Sequence, residues 1–350
     1  MEYNYMHGAN IYKYDKVEQI NDYSSNTNPL EIPINKLKLD ITSEELTRYP
    51  DPFYTKLRTA IANKEEVNIE NVFVSNGAAD IIFRIVLALK PKKALLLAPT
   101  FSEYEKALNV LDCNIDYYYL KAENKFKIQE DILDYLDNNY DLIILCNPNN
   151  PTSLVIEKNI IKDISTKINK LDTFLLVDEC FIEFINNYQD NSFKSYLSKN
   201  IGILKAFTKI YNMAGYRLGY CLIENAPLIN KLYLVGADWS VSSIAQEIAL
   251  NVLQDKEYLL KTRELLNIER KYLLEELSKL NIKVIGSQAN YIFFEYPNNN
   301  LKDKFLNHNI LIRSCANYNG LDQTYYRICI KDHDNNLELI TKLKTIINEE

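Results

Sequence analysis

Short apolar runs alternate with helix-like segments from residue 77 to about residue 224, and this alternation constrains the fold more than any other feature. The apolar runs end in polar or turn-forming residues, as buried strands do, and they cover residues 93–101, 141–151, 173–179 and 202–209. Between them, residues 77–90 and 155–168 carry apolar side chains at helical spacing. Strands that alternate with helices predict an α/β fold in which helices cover both faces of a mostly parallel sheet.

The last part of the chain has a different pattern. Residues 243–280 form a long apolar-periodic stretch, which predicts a helix or a helix pair that connects two domains. Four strand-like runs and two helical segments follow it, which predicts a small α+β domain. We therefore expect a large ligand-binding domain over residues 36–240 and an interdomain helix with a small C-terminal domain over 241–350. Residues 1–35 are expected to form an N-terminal arm that packs on the small domain and the active site.

Composition excludes several classes of protein. The formal net charge of −7 argues against a general nucleic-acid binder, whose affinity depends on clustered cations. The six cysteines contain no C-x-x-C pair, so the sequence predicts buried reduced thiols and no metal centre. The N-terminus has no apolar core of signal-peptide type, and no apolar run approaches membrane-spanning length. We expect a cytoplasmic protein that contacts neither nucleic acid nor membrane.

Polar residues stand at the predicted carboxyl ends of the strands, where parallel sheets bind ligands. They are Thr100, Asn147, Asn150, Asp178 and Lys209. Taken alone, Lys209 fits a lysine whose amine reaches water from a strand end. Asp178 ends another central strand, however, and a carboxylate buried there needs a partner. A cofactor with an aldehyde and a basic ring nitrogen satisfies both residues, because lysine binds the aldehyde and aspartate keeps the nitrogen protonated.

Other residues supply the remaining parts of such a site. The turn at residues 75–80 enters a helix, and its free backbone N–H groups suit a phosphate, although alone it is also an ordinary strand–helix turn. Asn150 suits a hydrogen bond to a ring oxygen, and Phe101 suits stacking on the ring. The candidates for binding the cofactor phosphate are Gly77, Ala78, Thr208 and Arg217.

Together with longer motifs, these residues resemble fold-type I pyridoxal-phosphate enzymes of the aspartate aminotransferase superfamily, and within it the threonine-phosphate decarboxylases of cobalamin biosynthesis. The resemblance covers nearly the whole chain, and it implies a large domain with a mostly parallel seven-stranded sheet beside a smaller α+β domain. The motifs are HGAN (7–10), SSNTNPL (24–30), RYPDPFY (48–54), PTFSEY (99–104), CNPNNPT (146–152), DECFIEF (178–184), TKIYNMAGYRLGY (208–220), DWSVSSIAQ (238–246) and ILIRSCANYNGLDQTYYRICI (310–330).

The resemblance implies a role for each matched residue. Lys209 would bind the aldehyde of pyridoxal 5'-phosphate covalently, Asp178 would pair with the ring nitrogen, Asn150 would contact the ring oxygen and Phe101 would stack. Tyr49 resembles a tyrosine that reaches the cofactor phosphate of a neighbouring subunit, which implies a homodimer with shared active sites. The residues implied for the phosphate and carboxylate of a small phosphorylated substrate are His7, Asn26, Arg313 and Arg327. Arginines suit that task because each guanidinium meets an oxyanion in a forked contact.

Some positions depart from the pattern of the resembled family. Ala9 and Ser153 stand where glycine is usual, Ala206 replaces a hydroxyl residue, and Lys331 replaces an arginine that these decarboxylases often carry. Phe181 is informative, because the transaminases of this group usually place tyrosine there and the decarboxylases carry phenylalanine.

The resemblance implies decarboxylation of L-threonine O-phosphate to (R)-1-amino-2-propanol O-phosphate. One alternative is an aminotransferase that acts on a phosphorylated amine such as histidinol phosphate, and another is a decarboxylase of L-serine O-phosphate. A further alternative from a different class is a non-catalytic binding or regulatory member of the fold. The presence of both Lys209 and Asp178 argues against that last alternative.

Overall fold

The computed structural model of the chain describes residues 8–14, 17–32, 47–297 and 300–349. Its strands are β1 (Asn21–Asp22), β2 (Val72–Ser75), β3 (Lys93–Ala98), β4 (Asn114–Tyr119), β5 (Leu142–Cys146), β6 (Phe174–Asp178), β7 (Ile201–Ala206), β8 (Gly219–Leu222), β9 (Lys283–Gly286), β10 (Tyr291–Glu295), β11 (Ile310–Leu311), β12 (Arg313–Ser314) and β13 (Tyr325–Cys329).

The α-helices of the described ranges are α1 (Thr55–Glu65), α2 (Ala78–Leu89), α3 (Glu103–Asn109), α4 (Ile132–Tyr135), α5 (Lys158–Ile168), α6 (Phe207–Ile210), α7 (Ala226–Leu234), α8 (Ser243–Gln254), α9 (Lys256–Lys279), α10 (Leu301–Leu306) and α11 (His333–Asn348). Short 3-10 turns lie at Ile11–Lys13, Val17–Gln19, Ile69–Asn71, Ala122–Asn124, Ile182–Phe184, Tyr188–Asn191 and Phe193–Tyr196. Among the helices described, none combines the length and apolarity needed to cross a bilayer.

The large sheet has the strand order β2-β8-β7-β6-β5-β3-β4. β8 pairs antiparallel with both of its neighbours, and the remaining six strands run in one direction. The predicted mostly parallel seven-stranded sheet is therefore confirmed. The four apolar runs of the sequence are β3, β5, β6 and β7, and the two predicted helices between them are α2 and α5.

Every residue of β5, β6 and β7 is buried, because helices cover the sheet on both faces. Alternate side chains of one strand enter separate cores: Ile143 and Leu145 pack on one face of the sheet, while Leu142 and Ile144 pack on the other. This explains why the sequence shows continuous apolar runs at these strands, with no polar alternation.

The helical stretch that follows the large sheet is a pair of helices, which is one of the two forms expected from its periodicity. α8 and α9 meet at Asp255, whose side chain accepts a hydrogen bond of 3.0 Å from the backbone N–H of Tyr258 and so begins α9. The proposed boundary at residue 240 falls between α7 and α8. The proposed boundary at residue 35 lies outside the described residues.

The C-terminal part contains a separate antiparallel sheet with the order β12-β13-β10-β9. A short parallel ladder also joins the two ends of the chain, since Asn21 pairs with Ile310 and Asp22 with Leu311. The backbone N–H of Cys329 donates to the carbonyl oxygen of Tyr23, and this bond ties the same N-terminal segment to β13. Residues 21–23 therefore lie against the small sheet, and the residues that follow them enter the cavity described below.

Candidate active site

A cavity of about 300 Å³ lies at the carboxyl ends of the central strands. Phe101, Cys146, Asp178 and Ala206 line it from the ends of β3, β5, β6 and β7, in agreement with the position where parallel sheets bind ligands. The sequence-predicted residues that the structure brings together around this cavity are Asn26, Ala78, Phe101, Asn150, Asp178, Thr208, Lys209, Arg217 and Arg327.

Lys209 lies in the single-turn helix α6, which begins directly after β7. The carbonyl oxygen of Lys209 accepts a hydrogen bond of 3.0 Å from the N–H of Asn28, so the N-terminal segment closes over this turn. Burial lowers the pKa of the Lys209 amine to about 8, and the positive charges of Arg327 and Arg217 act in the same direction. A lysine with this pKa is neutral and nucleophilic in a much larger fraction of molecules near neutral pH than an ordinary lysine is.

Asp178 is the last residue of β6, and its carboxylate is held from two sides. The Tyr104 hydroxyl donates to Oδ2 at 2.7 Å, and the Cys180 backbone N–H donates to Oδ1 at 2.9 Å. Burial raises the pKa of Asp178, while these hydrogen bonds and the charge of Lys209 oppose that effect. A buried carboxylate of this kind is stabilised by a cationic ligand group, such as a protonated ring nitrogen.

One end of the cavity has the features of a phosphate site. Helix α2 begins at Ala78, and the first N–H groups of a helix have no partner within the helix. Gly77 has a φ of 87°, and a Cβ atom there would lie 2.8 Å from Nη2 of Arg217. Glycine at position 77 therefore lets the guanidinium approach the start of the helix. Thr208, the residue before Lys209 in α6, also lines the cavity.

The middle of the cavity contains an aromatic ring and an oriented amide. Phe101 meets Tyr104 edge to face, with 5.6 Å between ring centroids. Oδ1 of Asn150 accepts hydrogen bonds from Nη1 of Arg327 and, at 3.4 Å, from the hydroxyl of Tyr318. Since Oδ1 is engaged, the Nδ2 amide is the group of Asn150 that is left for a ligand.

The opposite end of the cavity has buried polar atoms without a hydrogen-bond partner among the described residues. Nη2 of Arg327 donates to the carbonyl oxygen of Ser24 at 2.7 Å, but its Nε has no hydrogen-bond partner among the described residues. Asn26 is 2% exposed, and neither its amide nitrogen nor its amide oxygen has a partner in that part of the chain. Because buried polar groups are nearly always hydrogen-bonded, these atoms indicate that a polar ligand binds between them.

The other predicted residues lie elsewhere. Arg313 lies in an adjoining cleft, with its guanidinium carbon 5.3 Å from the ring centroid of Tyr318. Tyr49 is 81% exposed and packs on Trp239 with 4.7 Å between ring centroids, outside the cavity. His7 lies outside the described residues. Tyr49 is thus placed where a second subunit could contact it, and its implied role stays a prediction.

The cavity also contains residues that the sequence did not single out. Tyr104 lies in the first turn of helix α3, three residues after Phe101, and its hydroxyl reaches Asp178; its place just after a cavity residue is a signal that could have identified it. Tyr318 lies in the loop after β12, within the motif of residues 310–330, but no spacing in that motif singles out this residue as part of the site. Cys180 enters the cavity two residues after Asp178.

The structure accounts for two of the departures from the resembled pattern. Ser153 has a φ of 60°, in the region that favours glycine, but its Oγ donates to the carbonyl oxygen of Tyr291 and accepts from the N–H of Ala289, both at 2.9 Å. Lys331 donates to the side chain of Asn21 and lies over the ring of Tyr23, so it is not part of the cavity lining.

The sheet, the cavity lysine and the buried aspartate define a fold-type I pyridoxal-phosphate enzyme. The chain belongs to the aminotransferase class I and II family, whose model matches residues 18–343. The chain is similar to threonine-phosphate decarboxylase of Salmonella typhimurium, with 32% identity over 99% of this chain and 97% of the relative. It is also similar to histidinol-phosphate aminotransferase of Caldanaerobacter subterraneus, with 32% identity over 97% of each chain.

A solved structure supports the same fold. The histidinol-phosphate aminotransferase of Clostridium acetobutylicum superposes with a TM-score of 0.87 at 29% identity, over 94% of this chain and 99% of that chain. Pyridoxal phosphate is the cofactor of this family, and the cavity fits it. The start of α2 and Arg217 suit the phosphate, Asp178 suits the ring nitrogen, and Lys209 suits the aldehyde.

Proposed function

We propose that this chain decarboxylates L-threonine O-phosphate to (R)-1-amino-2-propanol O-phosphate, a step of cobalamin biosynthesis. The observation that carries this proposal is Phe181, which is 6% exposed and lines the cavity. Its ring meets Tyr291 edge to face at 5.1 Å, and it presents no hydroxyl to a ligand. The transaminases that the chain resembles usually have a tyrosine at this position, and the decarboxylases have phenylalanine.

We propose that the cofactor is held by the residues predicted for it. Lys209 would bind the aldehyde, Asp178 would keep the ring nitrogen protonated, and Phe101 and Asn150 would contact the ring and its oxygen. The phosphate would be bound by Gly77, Ala78, Thr208 and Arg217. The orphan N–H groups of α2 and the close approach of Gly77 to Arg217 support this assignment.

Reaction choice depends on how the protein orients the substrate. When bound, the cofactor withdraws electrons from Cα and weakens the bond that is held perpendicular to its ring. We propose that Arg327, Asn26, Arg313 and His7 hold the carboxylate and the distal phosphate so that the Cα–carboxylate bond takes this orientation. The unpartnered Nε of Arg327 and the unpartnered amide of Asn26 support an oxyanion site at this end of the cavity. Lys209 would then bind the aldehyde again as the product leaves.

The second candidate is an aminotransferase for a phosphorylated amine such as histidinol phosphate. It is supported by the 32% identity to the Caldanaerobacter aminotransferase, which equals the identity to the Salmonella decarboxylase. In that reaction Lys209 would move the proton of the Cα–H bond. L-Serine O-phosphate is an alternative substrate for the lyase, because one methyl group changes selectivity by only about 1–3 kcal/mol.

We also propose that the active unit is a homodimer. Tyr49, Phe53, Leu234 and Trp239 are 81%, 56%, 84% and 44% exposed, respectively. Tyr49 packs on Trp239, and Phe53 contacts Tyr233 on α7, the helix that ends at Leu234. Large exposed apolar side chains that lie together are typical of a protein interface. Sedimentation of the purified protein at several concentrations measures this directly.

A product assay tests the proposed reaction. The purified protein is loaded with pyridoxal phosphate and given L-threonine O-phosphate, with and without 2-oxoglutarate. Carbon dioxide and aminopropanol phosphate that form without the keto acid establish the lyase. No release of carbon dioxide, with glutamate formed from 2-oxoglutarate when histidinol phosphate is the amino donor, establishes the aminotransferase instead. In either case Lys209→Ala is expected to abolish turnover, since it removes the amine that binds the aldehyde.

A further inference from the structure

A second, smaller cleft of about 40 Å³ lies beside the active cavity. It holds three cationic side chains from three separate segments: Lys13 from the N-terminal 3-10 turn, Lys302 from α10 and Arg313 from β12. Within the described residues, no acidic side chain lines this cleft. The volume holds about three water molecules, which matches the size of a small oxyanion.

The concentration of positive charge in this cleft is unusual for the chain. The protein has a formal net charge of −7, with 47 acidic and 40 basic residues. Nη2 of Arg313 already donates to Oδ1 of Asn317 at 2.7 Å, so the attraction of the cleft for an anion comes from the combined positive charge of the three side chains. The cleft therefore has the charge and the size for a phosphate group.

The cleft adjoins the active cavity. Gly8 and Ser24 line both, and a Cβ atom on Gly8 would lie 2.5 Å from the carbonyl oxygen of Ser24. The same carbonyl oxygen accepts the hydrogen bond of 2.7 Å from Arg327. Arg313 makes a second connection, because its guanidinium lies over the ring of Tyr318, which lines the active cavity.

We propose that Lys13 and Lys302 are specificity-determining residues that bind the distal phosphate of the substrate together with Arg313. This inference rests on the proposed function, since it assigns a place to the phosphate of a phosphorylated substrate. Lys302 is half-buried, so its contribution exceeds that of the exposed Lys13. Neither lysine is among the substrate ligands that the family resemblance implies. Both lysines affect the binding of the substrate and do not contact the bond that breaks.

The test compares Lys13→Met, Lys302→Met and the double variant with the parent enzyme. Each single variant is expected to raise KM for L-threonine O-phosphate about threefold to fivefold and the double variant about tenfold, with kcat within about twofold of the parent value. Lys302→Arg is expected to restore KM, because it keeps the charge. Lys162→Met, an exposed lysine on α5 that lines neither the cavity nor the cleft, is the matched control.

A binding measurement separates this inference from the proposed reaction. Inorganic phosphate is titrated by calorimetry into the cofactor-loaded protein, in which the phosphate site of the cofactor is already filled. Weaker binding to the double variant supports the cleft even if the protein releases no carbon dioxide from L-threonine O-phosphate. Binding and KM of the double variant that stay within about twofold of the parent overturn the inference, whichever reaction the enzyme catalyses.

Discussion

The hydroxyl of Tyr104 donates a 2.7 Å hydrogen bond to Oδ2 of Asp178, and both side chains are almost completely buried. Tyr104 lies on α3 and Asp178 ends β6, so this bond connects two elements that flank the cavity. The bond favours the charged carboxylate, whereas burial favours its protonated form. The charge that Asp178 offers to a ring nitrogen therefore depends on Tyr104, which acts as a positioning residue.

Tyr104→Phe is expected to lower kcat about tenfold to a hundredfold. The variant removes a hydrogen bond to a charged group, which contributes about 1.5–3 kcal/mol, and it raises the pKa of Asp178 further. The measurements are kcat and a pH titration of the cofactor absorption band, whose midpoint moves only if the charge on Asp178 changes. Tyr140→Phe is the control, because its hydroxyl bonds Asp116 at 2.8 Å away from the cavity. Equal kcat values for both variants would contradict this role.

The lowered pKa of Lys209 gives a pH prediction for cofactor capture. Only the neutral amine attacks an aldehyde, and Lys209 loses its proton near pH 8 where an ordinary lysine loses it near 10.5. The capture rate in cofactor-free protein is therefore expected to rise about tenfold per pH unit below 8 and to level off above it. Arg327→Met removes a positive charge that lowers the pKa of Lys209, so it shifts this midpoint upward. The rate is followed by absorbance after mixing; a rise that continues to about pH 10 is the contrary result.

Ser153 gives a stability prediction with two matched variants. Its positive φ costs about 1–2 kcal/mol, but its hydroxyl forms hydrogen bonds with Ala289 and with Tyr291, the first residue of β10. Ser153→Gly relieves the backbone strain and loses both bonds, so we expect a loss of about 1–2 kcal/mol. Ser153→Ala loses the bonds and keeps the strain, so we expect about 2–4 kcal/mol. Urea unfolding measures the stability of both variants. A Ser153→Gly variant less stable than Ser153→Ala would contradict the idea that the hydrogen bonds of Ser153 offset backbone strain.

The sequence predicted the parts of the site that follow from sheet geometry. Asp178 ends β6 and Lys209 lies in the helical turn directly after β7, and these parallel strands bring their carboxyl ends to one edge of the sheet. Gly77 and Ala78 were predictable for a similar reason, because a glycine turn before an apolar-periodic segment starts a helix. In each case a local pattern fixes the position of the residue relative to the sheet.

Other parts of the site depend on contacts between distant residues, and no local pattern encodes these. Arg327 bonds Asn150 across 177 positions of the chain, and the cleft joins Lys13 to Lys302 and Arg313. Arg327, Arg313 and Asn26 were predicted as ligand-binding residues only from the resemblance to a known family. Their local sequence pattern alone did not predict that role. Lys13 and Lys302 have no motif at all, and only the packing of three separate segments shows that they face one cleft.

Lys205, a residue of β7, also has contacts with distant residues that no local sequence pattern predicts. It is the penultimate residue of β7, four residues before Lys209, and is only 2% exposed. Its amine pairs with both carboxylate oxygens of Glu65 at 3.0 Å, and the Tyr220 hydroxyl donates to Glu65 at 2.6 Å. Burial opposes the charge on Lys205, yet the Glu65 carboxylate raises the pKa of that amine above its ordinary value. The Lys205–Glu65 pair therefore stays charged at β7, the strand that directly precedes the helical turn of the cavity lysine.

Lys205→Met is expected to destabilise the protein by about 3 kcal/mol, because it leaves the Glu65 carboxylate buried without its nearest cation. The remaining lysines are farther away, with Lys64 at 3.8 Å and Lys194 at 3.7 Å. The pKa of Glu65 is lowered to about 2 in the parent, since its lysine partners outweigh its burial, so the stability from this group is present above pH 4.5 and lost toward pH 2. In the variant the pKa of Glu65 rises, so the loss of stability on acidification is expected to be smaller and to be complete at a higher pH.

The double variant Lys205→Met/Glu65→Gln distinguishes charge burial from lost packing. Glutamine keeps an acceptor for the Tyr220 hydroxyl but removes the unpaired charge, and Lys64 retains Glu183 as a partner at 2.6 Å. Replacing both members of a buried ion pair is often nearly neutral, whereas removing one is costly. We therefore expect the second substitution to recover more than half of the lost stability, measured by urea unfolding at about pH 7. A double variant no more stable than Lys205→Met would show that the loss comes from packing in β7 and not from the charge of Glu65.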